Sequence, residues 1–188
     1  MKDKVLDYAM TNPAGVGVYC GTYRKYNNGS LYGMWIDLEK VSDAYEFFEV
    51  CKELHSDEEE PEFMFQDYQC FPESLYHESM NYDDIERILE FLELSEDDRE
   101  IVMDYDQNVE EVDGKDFSDI IEMYCGQWDT FRDFSDELAN GNIEIILNDN
   151  KDDPGVEFLA NHFDYEMYAR DLSYEYDYTK EGRVFKRF

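Results

Sequence analysis

The stretch from Tyr82 to Asp119 constrains this chain more than any other. It holds sixteen carboxylates, Asp83, Asp84, Glu86, Glu90, Glu93, Glu96, Asp97, Asp98, Glu100, Asp104, Asp106, Glu110, Glu111, Asp113, Asp116 and Asp119, against three bases, Arg87, Arg99 and Lys115, for a local net charge of −13. Like charge at this density ordinarily favours disorder. Here it is interleaved with apolar residues at helical spacing: Ile85, Ile88, Leu89 and Leu92 recur at i, i+3, i+4 and i+7, and Phe117, Ile120, Ile121 and Tyr124 repeat the pattern. Such stripes need a core to cover them. The segment is therefore expected to form packed helices that hold their carboxylates on a fixed surface.

Composition supports a folded chain. Its 188 residues are enough to bury a core, and Phe, Tyr and Trp make up 16% of them, whereas charge-driven disorder goes with few aromatics. The net charge of −32 excludes nucleic acid and anionic membrane surfaces as direct partners and favours basic protein grooves. Cys20, Cys51, Cys70 and Cys125 are far apart, without a CxxC pair, and read as free, buried thiols of a reducing compartment. No run approaches the roughly 20 apolar residues of a membrane span. Because MKDKVLDYAMTNPAG also lacks the apolar centre of a signal peptide, the expectation is a soluble, cytoplasmic protein.

Turn and breaker residues predict an α+β chain of three small domains following a loosely held leader, residues 1–15, which contains Pro13 and Gly15. The first domain, 16–73, opens on a strand at Val16, Val18 and Tyr19. A turn at Asn27, Asn28 and Gly29 leads to a second strand from Leu31 to Ile36. Ser42 or Asp43 caps a helix carrying Phe47, Phe48, Cys51 and Leu54, the run HSDEEEPE is an acidic loop, and Phe63 to Tyr68 is a third strand. The second domain, 74–110, is acidic and helical: Asn81 and Ser95 sit at N-cap positions, each with an aspartate three residues on, Asp84 and Asp98. Acids in a first turn suit the helix dipole. That does not account for Glu90, Glu93, Asp104 and Asp106, which fall toward helix C-termini.

The third domain, 111–188, begins with a helix from Phe117 to Tyr124. Trp128, Phe131 and Leu138 mark another, expected to stop at Asn140 and Gly141. Residues 143–147, IEIIL, fit strand or helix equally well. Asp153 and Pro154 read as N-cap and first helical residue, and Tyr174 to Tyr178 with Gly182 to Phe188 read as a closing hairpin.

Reaction chemistry finds little support. Among 48 acids, carboxylate pairs arise by chance. Two stretches approach a calcium loop, but Val109 stands where the one starting at Asp104 needs glycine, and Lys151 and Ala160 occupy ligand positions in the one starting at Asp149. His55, His77 and His162 are isolated, and no GxGxxG, GxxxxGK[ST] or GxSxG occurs. The reading is therefore no enzyme, no metal and no cofactor. What remains is display of charge. Duplex DNA presents about one negative charge per 1.7 Å. Two rows of acids on a helix rising 1.5 Å per residue space charges about 2.6 Å apart, within a factor of two of that density. A salt-adapted surface would also be acidic, but the abundance of Tyr and Phe argues against it. A generic acidic binder of basic proteins stays open at this point.

Four motifs bear on that choice. VYCGTYRKYNNGSLYGMWIDL (Val18 to Leu38), FMFQDYQCFP (Phe63 to Pro72), FDYEMYARDL (Phe163 to Leu172) and GRVFKRF (Gly182 to Phe188) together resemble the ArdA-type antirestriction proteins. They occur in family order across most of Val16 to Phe188, and the acidic middle matches mainly in character. The resemblance implies an elongated, three-domain homodimer carried on mobile elements that mimics bent B-form DNA. It implies that the partner is a type I restriction-modification enzyme, bound at its specificity and methylation subunits, with restriction and often methylation blocked and no catalysis by the inhibitor. The sixteen carboxylates would then stand in for phosphates. Tyr165, Tyr168 and Leu172 would build the third-domain core or the dimer contact.

Overall fold

A computed structural model of the chain describes residues 5–187. They form eight α-helices and two three-stranded antiparallel sheets, an α+β architecture as the sequence leads one to expect. The chain divides into two compact units, Met1–Gln107 with Glu111–Phe117, and Asn108–Glu110 with Ser118–Phe188.

The first unit contains β1 (Gly17–Thr22), α1 (Tyr23–Asn27), β2 (Met34–Asp37), α2 (Ala44–Leu54), β3 (Phe63–Gln69), α3 (Tyr82–Glu93) and the body of α4 (Glu96–Asn108). β1 lies between β2 and β3, with Val18 opposite Ile36 on one side and Tyr68 on the other. The Asp43 side chain accepts from Glu46 N at 2.7 Å and so caps α2. That helix covers the sheet through Phe47 and Phe48, whose rings lie 5.6 and 6.3 Å from Phe65. Val18, Cys20, Ile36, Phe47, Cys51 and Phe65 are fully buried between them. Gly33 is required at the start of β2, where a Cβ would fall 2.7 Å from the Tyr19 ring and against the Cys20 carbonyl.

Three expectations for this unit need correction. Residues 23–27, expected between strands, form a helical turn, because Thr22 Oγ1 accepts from Lys25 N at 3.2 Å and caps it. The second strand begins at Met34; Leu31 and Tyr32 are exposed outside the ladder, which starts at the Cys20–Met34 pair. The leader is not loosely held over its described part: Val5 is buried, Ala9 bridges Ile36, and Met10 N donates to Trp35 O at 3.0 Å. Residues 1–4 of that leader lie outside the described residues. Cys20 and Cys51 are buried free thiols, but Cys70 is exposed and Cys125 half-buried.

The second unit holds most of α5 (Phe117–Met123), β4 (Tyr124–Gln127), α6 (Phe131–Asp149), α7 (Pro154–Asn161), α8 (Tyr165–Leu172), β5 (Tyr176–Tyr178) and β6 (Arg183–Lys186). Its sheet has the order β4-β6-β5, so the expected closing hairpin forms, with Tyr178 opposite Val184. Gly182 turns it at φ +82°, where a Cβ would lie 2.5 Å from Trp128 O; Phe188, the expected end of the hairpin, lies outside the described residues.

Strand β4 is unanticipated. Gly126, at φ +105°, cannot continue the helix expected through Tyr124. Nor does α6 stop at Asn140 and Gly141: it runs to Asp149, which makes residues 143–147 helical. A glycine inside a helix costs only about 1 kcal/mol relative to alanine. Phe134, Ser135 and Ala139 bury the preceding turns, and the neighbouring asparagines bond across to α8 rather than capping. Tyr165 Oη donates to Asn140 Oδ1 at 2.6 Å, and Asn142 Nδ2 to Tyr168 Oη at 3.3 Å. Both tyrosines thus tie α8 to α6, and Leu172 is buried.

The carboxylate-bearing helix α3 rests on Ile85, Ile88 and Phe91, all at most 1% exposed. Phe91 meets Phe117 edge-to-face at 6.0 Å. Replacing Phe91 by alanine is expected to destabilise the protein by about 3–5 kcal/mol, read as a lowered urea midpoint; a loss under about 1 kcal/mol would mean that α3 does not depend on this stripe.

Candidate functional site

The acidic segment is built on caps. Asn81 closes a capping box at the start of α3: Asp83 N donates to Asn81 Oδ1 at 2.7 Å, and Asn81 N to Asp84 Oδ2 at 2.6 Å. At α4 Ser95 caps differently: Asp98 N donates to Ser95 Oγ at 3.2 Å, and the Ser95 hydroxyl, not its backbone N–H, donates to Asp98 Oδ2 at 2.7 Å. Between the helices, Arg99 donates Nε to Leu94 O at 3.1 Å and Nη2 to Leu92 O. Those carbonyls at the end of α3 otherwise lack helical partners.

Twelve of the sixteen carboxylates are exposed: Asp83, Glu86, Glu90, Glu93, Glu96, Asp97, Glu100, Glu110, Glu111, Asp113, Asp116 and Asp119. Asp83, Glu86, Glu90 and Glu93 fall on one face of α3, opposite the buried stripe, and place four charges along about 15 Å of axis. Asp97 does not extend that row, because α3 ends at Glu93 and α4 begins at Glu96. Glu110 and Asp119 belong to the second compact unit and the other fourteen to the first.

Several carboxylates have structural partners. Asp84 serves the cap and also meets His77 Nε2 at 3.0 Å. Glu86 accepts from Ala44 N at 2.7 Å, which satisfies the start of α2, and Glu90 pairs with Arg87 at 2.8 Å. Neither of the two acids near the end of α4 belongs to the exposed set. Asp104 is buried, and Asp106 accepts from Ser74 N at 3.3 Å, from Val112 N at 3.1 Å and from the Ser74 hydroxyl. Asp104, Asp106 and Asn108, which imitate the start of a calcium loop, are residues of helix α4. Among the described residues no group of three or more His, Cys, Asp or Glu is placed to hold a metal ion, and no helix is long and apolar enough to cross a membrane.

The family profile described as antirestriction protein (ArdA) matches residues 18–185. The chain belongs to the ArdA antirestriction family. That membership implies an antirestriction function; the family is one of non-catalytic inhibitors associated with restriction-modification enzymes, and the match takes in residues of both compact units. No curated protein and no solved structure gives a match.

One cluster escaped sequence reasoning. Lys25, on α1, donates to His55 Nδ1 at 3.1 Å, Asp57 Oδ1 at 2.9 Å and Glu58 Oε1 at 2.7 Å, while Thr22 Oγ1 donates to the same Glu58 oxygen at 2.8 Å. His55, Thr22 and Glu58 are buried. Since an ammonium only donates, His55 Nδ1 must accept, which leaves Nε2–H to face Cys20 O at 3.3 Å. The network fastens the acidic loop after α2 to the sheet. A lysine some thirty residues before a run of acids gives no sequence signal for it. Burial works against the Glu58 carboxylate, but the bonds from Lys25 and Thr22 outweigh it and hold its pKa below the usual value.

The folded-state pKa of Glu58 thus lies below its unfolded value of about 4.3. Its contribution to stability is complete above that value and is lost as pH falls through the lowered one. Replacing Glu58 by glutamine is expected to cost about 1–3 kcal/mol at neutral pH and to flatten the fall of stability below about pH 4.3. Denaturant titrations at pH 7, 5 and 3.5 check both, and a variant as acid-sensitive as the wild type would remove Glu58 from the acid response.

Proposed function

We infer that the chain is a stoichiometric inhibitor that occupies the DNA groove of a type I restriction-modification enzyme, its carboxylates standing in for the phosphates of B-form DNA. The observation that carries this reading is the exposure of ten carboxylates of the 82–119 stretch in the first compact unit, on the capped helices α3 and α4 and on the pinned loop 111–117. A charge array on a fixed scaffold is already ordered when it meets the groove, so little conformational freedom is lost on binding. Asp104 and Asp106 are left out of the proposed surface because one is buried and the other holds Ser74 and Val112. Within this reading 74–110 is a functional segment of its own between 16–73 and 111–188. The inhibitor acts in the cytoplasm, where its target cleaves and methylates DNA, and it blocks both reactions by filling a shared groove.

A homodimer belongs to the same proposal. The second compact unit leaves Ile145 and Ile146 of α6, Phe158 and Leu159 of α7 and Met167 of α8 more than half exposed. Apolar side chains on an otherwise acidic unit suit a contact with a second copy.

Titration into a type I enzyme holding a fluorescent duplex should displace the DNA at near-stoichiometric ratios, less effectively as salt rises. An unrelated DNA-binding protein should keep its duplex. Equal displacement from both would instead mark a generic acidic binder. Glu90→Gln alone should change inhibition by less than about threefold, since exposed charge contacts are individually weak; joint neutralisation of Asp83, Glu86, Glu90 and Glu93 should weaken it by about tenfold or more, and an unchanged inhibition constant would remove α3 from the surface.

Phe158→Asp is expected to shift the chain from dimer to monomer in sedimentation equilibrium, raising the dimer dissociation constant by about tenfold or more. A dimer of undiminished affinity would place the contact elsewhere.

A further inference from the structure

On a surface whose use is negative charge, a cation is a defect unless it does something else. Arg87 sits among the acids of α3 and is half-buried. Its guanidinium carbon lies 3.4 Å from the centroid of the Phe117 ring. One nitrogen, Nη2, donates to the backbone carbonyl of Lys115; the other, Nη1, reaches Glu90 Oε2 at 2.8 Å. The side chain therefore bridges α3 to the segment 111–117. The planar, forked guanidinium suits this arrangement, because it stacks on an aromatic face and donates in two directions at once, which an ammonium cannot do.

That segment is also held at its other end. Val112 is buried, and its N–H donates to Ser74 Oγ and to Asp106 Oδ1, each at 3.1 Å. Lys115 N closes a turn on Val112 O at 3.1 Å, and Gly114 takes φ +73° in open space. Between these two anchors Glu111, Asp113 and Asp116 are exposed. We propose that Arg87 is a positioning residue for the acidic surface: it fixes the 111–117 loop against α3, so that the loop's carboxylates and those of the helix meet a partner as one rigid array. This rests on the DNA-mimic reading given above.

The inference reverses the sign expected from charge alone. If charge were all that mattered, removing Arg87 would make the surface more negative and inhibition tighter. If Arg87 positions the loop, its removal weakens inhibition despite the added negative charge. The test uses the full chain as wild type, Arg87→Gln, Arg87→Lys and, as a control losing the same charge from an exposed site on α1, Arg24→Gln. Each is titrated into the duplex-bound type I enzyme at several salt concentrations. Hydrogen exchange of the free protein is followed in parallel.

Arg24→Gln is expected to inhibit as well as the wild type or slightly better. Arg87→Gln should inhibit about 3–10-fold less well and with a shallower salt dependence, since fewer carboxylates engage together, and Arg87→Lys should not rescue it. Amides of 111–117 should exchange faster in both Arg87 variants while those of α4 stay protected. Inhibition by Arg87→Gln equal to or tighter than wild type overturns the proposal. So does a weaker effect that comes only from a smaller active fraction at unchanged salt slope, which is the signature of a misfolded population. If the wild type itself displaces no duplex, the mimicry reading falls and this role with it, while exchange at 111–117 still reports whether Arg87 holds the loop.

Discussion

Everything in this chain depends on holding like charges together against their own repulsion. Helix α3 shows how. Its solvent face carries Asp83, Glu86, Glu90 and Glu93, and its opposite face buries Ile85, Ile88 and Phe91. Each side chain of that size contributes on the order of 1.5–3 kcal/mol when removed from water. Repulsion between neighbouring exposed carboxylates amounts to a few tenths of a kcal/mol per pair. The apolar stripe therefore wins and the array stays folded. The aromatic content follows from the same balance, because a small chain this charged needs large side chains to build a core that can hold it.

Polar devices complete what the stripe begins. The capping box of α3 places Asp84 where the Asn81 N–H needs an acceptor, and at α4 the Ser95 hydroxyl caps the Asp98 N–H while donating to the Asp98 carboxylate. The bases within the segment serve the backbone as much as the carboxylates: Arg99 donates to the last carbonyls of α3, and Arg87 to a loop carbonyl while stacked on Phe117. Their positive charge strengthens those backbone contacts. In the first unit Lys25 is a counterpart set deeper, its three donors matched by three acceptors around His55 and Glu58.

What could be read in the sequence was local. The caps at Asn81, Ser95 and Asp153, that at Asp43 as one of two candidates, and the final hairpin follow from residues within a few positions of one another, and each is present. Of the stripe expected on α3, Ile85 and Ile88 are buried, whereas Leu89 and Leu92 are half-buried and Phe91 takes their place in the core. What could not be read depended on distant partners. Asp106 looks like one more surface acid until Ser74, 32 residues away, is seen bonded to it. Asn140 and Gly141 look like a stop until Tyr165 occupies the asparagine. The charge itself was legible in full, but not its division into exposed carboxylates and those engaged in structure.

The caps carry a further consequence. The exposed acids repel one another across water, so dissolved ions weaken that repulsion readily, whereas the apolar stripe and the hydrogen bonds beneath it are hardly screened. Added salt therefore relaxes a strain within the folded molecule and, on the proposed DNA-mimic reading, loosens its hold on a basic groove at the same concentrations. On that proposed reading firmness of fold and strength of grip move in opposite directions with ionic strength, and the conditions that make the fold most robust are those that make the inhibitor weakest.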